Sequence, residues 1–423
     1  MASNLKTEIP ETPTKDSTDD SIIVRGSVSS PASAEATDSS VSCTDDALVQ
    51  ALYGDEITET DVLLGLCTEQ KVLEFDQYID SLLEDSSIRK LGEASYSEVF
   101  LQSRTDSNST TVLKIIPFGQ EEQCEVKSII QEVRISKTMA QIDGFIGFRG
   151  AYVVQGYFPE PLMDEWDNFD MERGSENVRP DFYEDHQLFA VILLENGGSD
   201  LEHTELQSWE EALDVFWQAA NALASGEEKH LFEHRDLHWG NLVIDRREVE
   251  PRKKSFSANP ETLLEGLSLE DKESTLKVSL IDYTLSRARC TDDENDIEFM
   301  PLNDTALFGG KGDYQFDIYR FMRKEVSSGL VPPEEECIDW NVYAPRTNIF
   351  WLHYLTNILL TRMGIPRPAA RGRNAASQTE KDCFRQLEIV AKAIDPRKKK
   401  FGKGPAITSA GDLVGWAKAE KYI

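Results

Sequence analysis

Apolar residues recur at helical spacing in several separate stretches of the chain. Leu63, Leu64, Leu66, Val72, Leu73, Phe75, Tyr78, Leu82 and Leu83 fall in steps that predict one or two amphipathic helices, in a helical pattern starting near Asp46. The pattern then changes. Glu98 to Leu101, Thr111 to Ile116 and Leu188 to Leu194 are short apolar or β-branched runs and predict strands. A helical pattern from Cys124 to Met139 separates the last two. Residues 156 to 187 hold Pro, Asp, Glu and Gly without clear periodicity and predict a long insertion. Ser208 with Glu211 three positions on spells a capping box. It opens a long helix whose inner face carries Ala212, Val215, Phe216, Ala219 and Leu223. Leu242 to Ile244 and Lys277 to Ile281 predict two further strands, with a charged surface loop over 246 to 276. Helices resume at Tyr314 to Lys324 and Asn348 to Met363, and no internal repeat is visible.

Residues 1 to 45 are rich in Ser, Thr, Asp, Ala and Pro and are expected to be a disordered tail. Thr12-Pro13 and Ser30-Pro31 within it have the form of phosphorylation sites. At 423 residues the rest of the chain is long enough to bury a sizeable core. The net charge of −32 argues against general nucleic-acid binding and favours a basic partner. From Arg362 to Lys403 the sign reverses, with 12 basic and 4 acidic residues. Arg397-Lys398-Lys399-Lys400 within that stretch could serve as a nuclear localisation signal, a contact to phosphates, or a solvated face. The six cysteines have no metal-binding spacing and are expected to be reduced thiols. No run of about 18 apolar residues is present, so no membrane span or membrane partner is expected, and Met1 to Pro10 shows no signal-peptide pattern.

The chemistry concentrates in His234-Arg235-Asp236-Leu237-His238-Trp239-Gly240-Asn241, between the long helix and a short strand. Asp236, five residues before Asn241, can accept a proton from an attacking hydroxyl while the amide oxygen binds a metal. Asp282 ends the apolar strand of Leu280-Ile281-Asp282-Tyr283-Thr284 and suits a magnesium ion. Upstream, Val112-Leu113-Lys114 buries a lysine in a strand, and such a lysine needs a partner to keep its charge. Glu132 on the following helix can supply it. A lysine that snorkels to solvent is the plainer reading of that position alone. The run from Gly92 through Ala94 to Val99 has the place of a glycine-rich phosphate loop but keeps only one glycine. In this order the four pieces form a protein-kinase-like site.

Particular words narrow the resemblance. Phe232-Glu233-His234-Arg235-Asp236-Leu237-His238-Trp239-Gly240-Asn241, Ile281-Asp282-Tyr283-Thr284-Leu285-Ser286-Arg287 and Gly312-Asp313-Tyr314-Gln315-Phe316-Asp317-Ile318-Tyr319-Arg320 closely resemble the haspin family. So do Arg179-Pro180-Asp181-Phe182, Gly197-Gly198-Ser199-Asp200-Leu201-Glu202 and Trp351-Leu352-His353-Tyr354-Leu355-Thr356. The resemblance covers roughly residues 90 to 365; Asp-Tyr-Thr replaces the usual Asp-Phe-Gly, and no Ala-Pro-Glu follows.

The resemblance implies an α+β, bilobed protein-kinase-like fold, with a small strand-rich N-lobe and a larger helical C-lobe. The expected division is a tail (1–45), a helical N-terminal extension (46–90), the N-lobe (91–197), and the C-lobe with its basic end (198–423). It implies a monomeric serine/threonine kinase using ATP and Mg2+, or Mn2+, on a threonine near the N-terminus of histone H3 in mitosis. Nucleus and chromosomes are the implied location, with the cytoplasm as a second, and chromatin would be reached through the protein substrate. Asp236 would be the catalytic base, Asn241 and Asp282 the metal ligands, and Lys114 with Glu132 would position the phosphates. Gly92, Ala94 and Val99 would cover the nucleotide. Glu195, Asn196 and Gly197 would form the hinge, with Leu194 guarding the pocket behind it. Asp200, Glu202 and His238 would face ribose or substrate, Arg235 would pair with fixed groups, and Asp317 would brace the catalytic loop. No phosphorylation of an activation loop would be needed.

Ala94 and Ser97 depart from the loop's glycines. His238 stands where many protein kinases carry lysine, though the family shares it. The segment from Thr291 to Leu307 resembles the family's substrate-binding insertion only in part; its Asp292, Asp293, Glu294, Asp296 and Glu298 suit a basic peptide or a solvated loop equally. Two other readings stand beside the protein kinase: a small-molecule kinase of the aminoglycoside type, and a pseudokinase binding module. Arg235 and the run after Asp282 disfavour the first, and the full set of catalytic residues disfavours the second.

Overall fold

The computed structural model describes residues 57–94, 97–107, 109–246, 274–327, 338–369, 376–398 and 406–423. The expected tail, the helical onset at Asp46, Ser95 and Tyr96 at the loop tip, most of the charged loop at 246–276, and Lys399-Lys400 lie outside them. The N-lobe is a six-stranded sheet in the order β1-β5-β6-β4-β3-β2. Its strands are β1 (Val72–Glu74), β2 (Ser86–Ala94), β3 (Ser97–Arg104), β4 (Thr110–Phe118), β5 (Phe148–Gln155) and β6 (Leu188–Glu195). All neighbours are antiparallel except β1, which runs parallel to β5.

Strand alternation sends side chains to two separate cores. Leu113, Ile115, Phe189 and Val191 pack under α2 (Phe75–Leu83), against Phe75 and Phe158. Ile116, Phe118, Ala190 and Ile192 face the other way. They meet α1 (Glu59–Leu66) and α3 (Val126–Met139) through Leu63, Ile129 and Val133.

One expectation needs correction. The extension over 46–90 is not wholly helical: β1 lies between its two helices, and residues 86–90 already belong to β2. A three-residue strand cannot be told from a helical turn by spacing, and pairing with the edge of β5 decides it. The insertion at 156–187 contains α4 (Glu160–Arg173). That helix buries only Leu162 and Trp166, so its sequence carries almost no period. Strand β5 has no counterpart among the predicted elements.

The C-lobe begins with β7 (Ser199–Asp200) and α5 (Trp209–His230), followed by β8 (Leu242–Arg246) and β9 (Leu276–Leu280); β8 pairs with both β7 and β9 in one small sheet. Ser208 caps α5 by accepting from Glu211 N at 3.1 Å. The return arm of the expected box is displaced by one residue, since the Glu211 carboxylate accepts from Gln207 N at 2.8 Å. The hairpin β10 (Arg287–Arg289) and β11 (Ile297–Phe299) comes next. Helices α6 (Thr305–Gly309), α7 (Gln315–Val326), α8 (Arg346–Thr361), α9 (Gln378–Ala393) and α10 (Ala410–Ala419) complete the lobe. One continuous core joins them around Trp209, Phe216, Trp351 and Tyr354. Among the described residues no helix is long and apolar enough to cross a membrane.

Candidate active site

On β4 the residue between Leu113 and Ile115 must point away from their core, toward α3. That residue is Lys114, and its ammonium meets Glu132 Oε1 at 2.6 Å. Asp282 Oδ1 lies 3.9 Å away on the other side. Burial acts to discharge Lys114, but Asp282 and Glu132 outweigh it and hold the lysine charged. Burial likewise pushes against the Asp282 carboxylate. Lys114 and the hydroxyl and amide of Thr284 reverse that and hold it at about 2. Thr284 donates to Asp282 Oδ1 from its hydroxyl at 2.5 Å and from its amide at 3.1 Å. Asp282 itself is in the left-handed region, φ 61°. This backbone conformation is costly for a non-glycine residue and recurs at functional sites.

The link between the lobes follows Leu194 at the end of β6. Glu195 N donates to Gly147 O at 2.8 Å, and Asn196 Nδ2 donates to Thr110 Oγ1 at 3.2 Å. Gly197 is required by packing: a Cβ there would stand 2.3 Å from Val243 Cγ2. The Asp200 carboxylate accepts from His203 N at 2.9 Å and lies 2.8 Å from its ring Nδ1.

Helix α5 ends on Leu231 in the left-handed region, φ 48°, which turns the chain into the catalytic loop. Arg235 is fully buried with φ 64°. Its guanidinium bonds the Glu233 carboxylate at 3.2 and 3.3 Å and Trp340 O at 2.9 Å. Glu233 also accepts from Ala344 N at 2.9 Å and Thr347 Oγ1 at 2.8 Å. The arginine is thus held by fixed groups of the C-lobe. Asp236 sits on the next residue, with Tyr319 of α7 donating its hydroxyl to Oδ1 at 2.5 Å. Burial pushes the Asp236 carboxyl up to about 6, against the lowering by His238 and the Tyr319 hydroxyl. Asn241 Nδ2 donates to Asp236 O at 2.9 Å, which turns the amide oxygen the other way. His238 caps the short 3-10 turn by accepting from Gly240 N at 3.0 Å. That role is a local one, in the loop's own geometry.

Two site expectations are corrected. Asp317 does not brace the catalytic loop. It lies half-exposed in the first turn of α7, where its partner is Arg320 at 2.6 Å. The brace is Asn348 of α8, which accepts from His234 N at 3.0 Å and donates to Phe232 O and Glu227 Oε1 at 2.9 Å each. Of the acidic run after Asp282, Asp296 and Glu298 face Arg134 of α3, with Asp296 at 2.6 Å, and so tie the β10–β11 hairpin to that helix. Asp292, Asp293 and Glu294 remain on the exposed turn.

Glu233, Asn348, Tyr319 and Glu227 were not singled out from the sequence. Glu233 stood in plain view beside His234. Asn348 and Tyr319 are polar positions beside apolar helical residues, which is the available signal, since a buried polar group is retained only with partners. Glu227 sits in the polar Ser225–His230 stretch and carries no such signal.

Tyr319 is open to test. Its hydroxyl stabilises ionised Asp236, so Tyr319→Phe raises the carboxyl's pKa. The base must be ionised, so activity falls as pH drops through that value. The acid limb of kcat/KM is expected to move to higher pH by about one unit, the worth of one hydrogen bond to a charged group. A limb that stays where it is in the wild type excludes the role.

The donors suit a nucleotide with a divalent ion. Magnesium takes one or two protein oxygens and leaves the rest of its shell to phosphates and water. Asp282, held ionised, and the Asn241 amide oxygen supply that number. Among the described residues no cluster of three or more His, Cys, Asp or Glu forms a closed metal cage. A lysine–glutamate pair under a strand hairpin, a hinge, a loop-borne base and a strand-end carboxylate together define a protein kinase catalytic centre.

The comparisons agree and narrow it. The family described as Haspin like kinase domain matches residues 4–414. The serine/threonine-protein kinase haspin homolog of Schizosaccharomyces pombe is 36% identical over 85% of this chain and 72% of its own length. Bovine haspin is 36% identical over 72% of this chain, and mouse haspin 33% over 71%. The chain covers only 38% and 39% of those two proteins' lengths. This chain belongs to the haspin-like kinase family and is a serine/threonine-protein kinase.

Proposed function

We propose that this kinase transfers the ATP γ-phosphate to a threonine near the basic N-terminus of histone H3, with Mg2+ as the ion. The metal would be held by Asp282 and Asn241 and would neutralise phosphate charge during transfer. Lys114, fixed by Glu132, positions the phosphates, and Asp236 orients the threonine hydroxyl and takes its proton. The observation that carries the substrate reading is Glu202. Its Oε2 stands 4.0 Å from where a Cβ on Gly240 would be, so an exposed carboxylate flanks the loop that bears Asp236. A lysine or arginine beside the target threonine would meet it. Asp200 lies two residues before Glu202 and adds a second carboxylate, which accepts from His203 N. The whole-chain charge of −32 favours approach of a basic tail. Action on that tail would place the protein in the nucleus and on mitotic chromosomes.

An oriented peptide library tests the reading. Threonine close to a free, basic N-terminus should be selected. Transfer to small alcohols in preference to peptides would instead support the aminoglycoside-type alternative. In the same assay Glu202→Gln is expected to raise KM for an H3-tail peptide roughly three- to thirtyfold, the worth of one charged contact, with KM for ATP unchanged. Unaltered peptide KM would remove Glu202 from the substrate surface.

A further inference from the structure

The neck of the phosphate-binding hairpin holds a buried charge cluster that the catalytic site does not use. Glu93 and Glu98 face each other directly across β2 and β3. Like charges so placed repel and would splay the hairpin. Lys90, 4% exposed, lies between them. Its ammonium is 2.9 Å from Glu93 Oε2, pairs with the Glu98 carboxylate, and sits over the rings of Trp166 at 5.0 Å and Phe169 at 4.7 Å. Both rings belong to α4, the helix inserted between β5 and β6.

The chain after α4 completes the enclosure. Ser175 Oγ donates to Glu93 Oε2 at 2.7 Å, and Glu176 N donates to Glu93 Oε1 at 2.6 Å. Asn177 Nδ2 reaches Glu98 Oε1 at 3.1 Å. It also reaches the backbone carbonyls of Ala94 at 3.4 Å and Ser97 at 3.5 Å, the last described residues on either side of the loop tip. These are the two positions where the loop lacks glycine. A glycine-rich loop closes on phosphates because its backbone is permissive. Here the same backbone is tied at its neck to a neighbouring segment.

We propose that Lys90, Ser175 and Asn177 form a clamp that fixes the neck of the hairpin, and that they are positioning residues for the nucleotide phosphates. The clamp acts through the β2–β3 backbone, since the three side chains contact the hairpin itself. It restricts the loop to a narrow range of positions, so that phosphate binding costs less ordering where glycine is missing. The insertion at 156–187 thereby acquires a role in nucleotide handling.

The full chain, with Mg2+, is titrated with a non-hydrolysable ATP analogue and separately with adenosine, which engages the hinge but has no phosphates. Asn177→Ala and Ser175→Ala are each expected to weaken the ATP analogue roughly three- to tenfold and to leave adenosine unchanged. Lys90→Met should do more, since it exposes the Glu93–Glu98 repulsion; if it does not fold, the two milder variants carry the test. Equal losses for both ligands would show a merely structural role and overturn the proposal. So would undiminished affinity for the analogue in a folded variant. Neither result would bear on the phosphotransfer reading, which rests on Asp236 and the peptide assay.

Discussion

Asp236→Asn is expected to lower kcat by about 10²- to 10⁴-fold, the usual contribution of a positioned general base. The amide keeps the shape of the carboxylate and can still accept from Tyr319, so the loop should stay in place. It cannot take a proton from the substrate hydroxyl. ATP affinity should barely change, because the proposed nucleotide contacts are Lys114, the hinge, Asp282 and Asn241, while Asp236 is assigned to the substrate hydroxyl. Steady-state kinetics with an H3-tail peptide give the first quantity, and calorimetric titration with ATP and Mg2+ gives the second. A kcat within tenfold of wild type would mean that the proton leaves by another route. A parallel collapse of ATP binding would mean that the substitution disrupts the pocket rather than the chemistry.

Glu233→Ala should be the most damaging substitution away from the reacting atoms. Its carboxylate is fully buried and joins Arg235, Ala344 N and Thr347, with Arg287 Nε 3.9 Å away. Removing it leaves the fully buried Arg235 guanidinium without its counter-charge. Breaking one side of a buried pair costs about 3–5 kcal/mol. Chemical denaturation should show a loss of that size in the C-lobe transition, accompanied by loss of activity, since Asp236 is the neighbour of Arg235. Glu233→Gln retains the acceptor oxygen and should cost less. Combining Glu233→Ala with Arg235→Met should recover part of the loss, because the uncompensated charge is then gone. A cost below about 1 kcal/mol for Glu233→Ala would place the anchor of this loop elsewhere, since that is the scale of an exposed pair.

The two predictions divide along what can be read in the chain itself. Asp236, Asn241, Asp282 and Lys114 were legible because each sits in a short local word, and local words persist in any conformation. The strands at Glu98, Thr111 and Leu188 and the helices at Cys124, Ser208, Tyr314 and Asn348 were legible for a related reason. The helices at Cys124, Ser208 and Tyr314 bury mainly one face, which writes a period into the residues. The strands at Thr111 and Leu188 and the helix at Asn348 are buried on more than one side and read as apolar runs. Helix α4 buries too little to leave a period, and β1 is too short to have one. The missing brace has a similar origin. Asp317 lies in a conspicuous motif but faces solvent, while Asn348 sits in the first turn of α8, where eleven further residues are buried, and shows no sign of its three partners until the lobe is assembled.

The sequence by itself determined the reaction class, because phosphotransfer needs a base, two metal oxygens and a lysine, and all four are spelled in order. Only the tertiary structure decided what holds those groups in place. Tyr319 and Asn348 lie 83 to 121 residues from the partners they meet across the fold, and the Lys90 cluster is defined by opposition across a hairpin. A contact of that kind leaves no period or spacing in the chain, since its energy comes from burying two polar groups together once the lobes have closed around them.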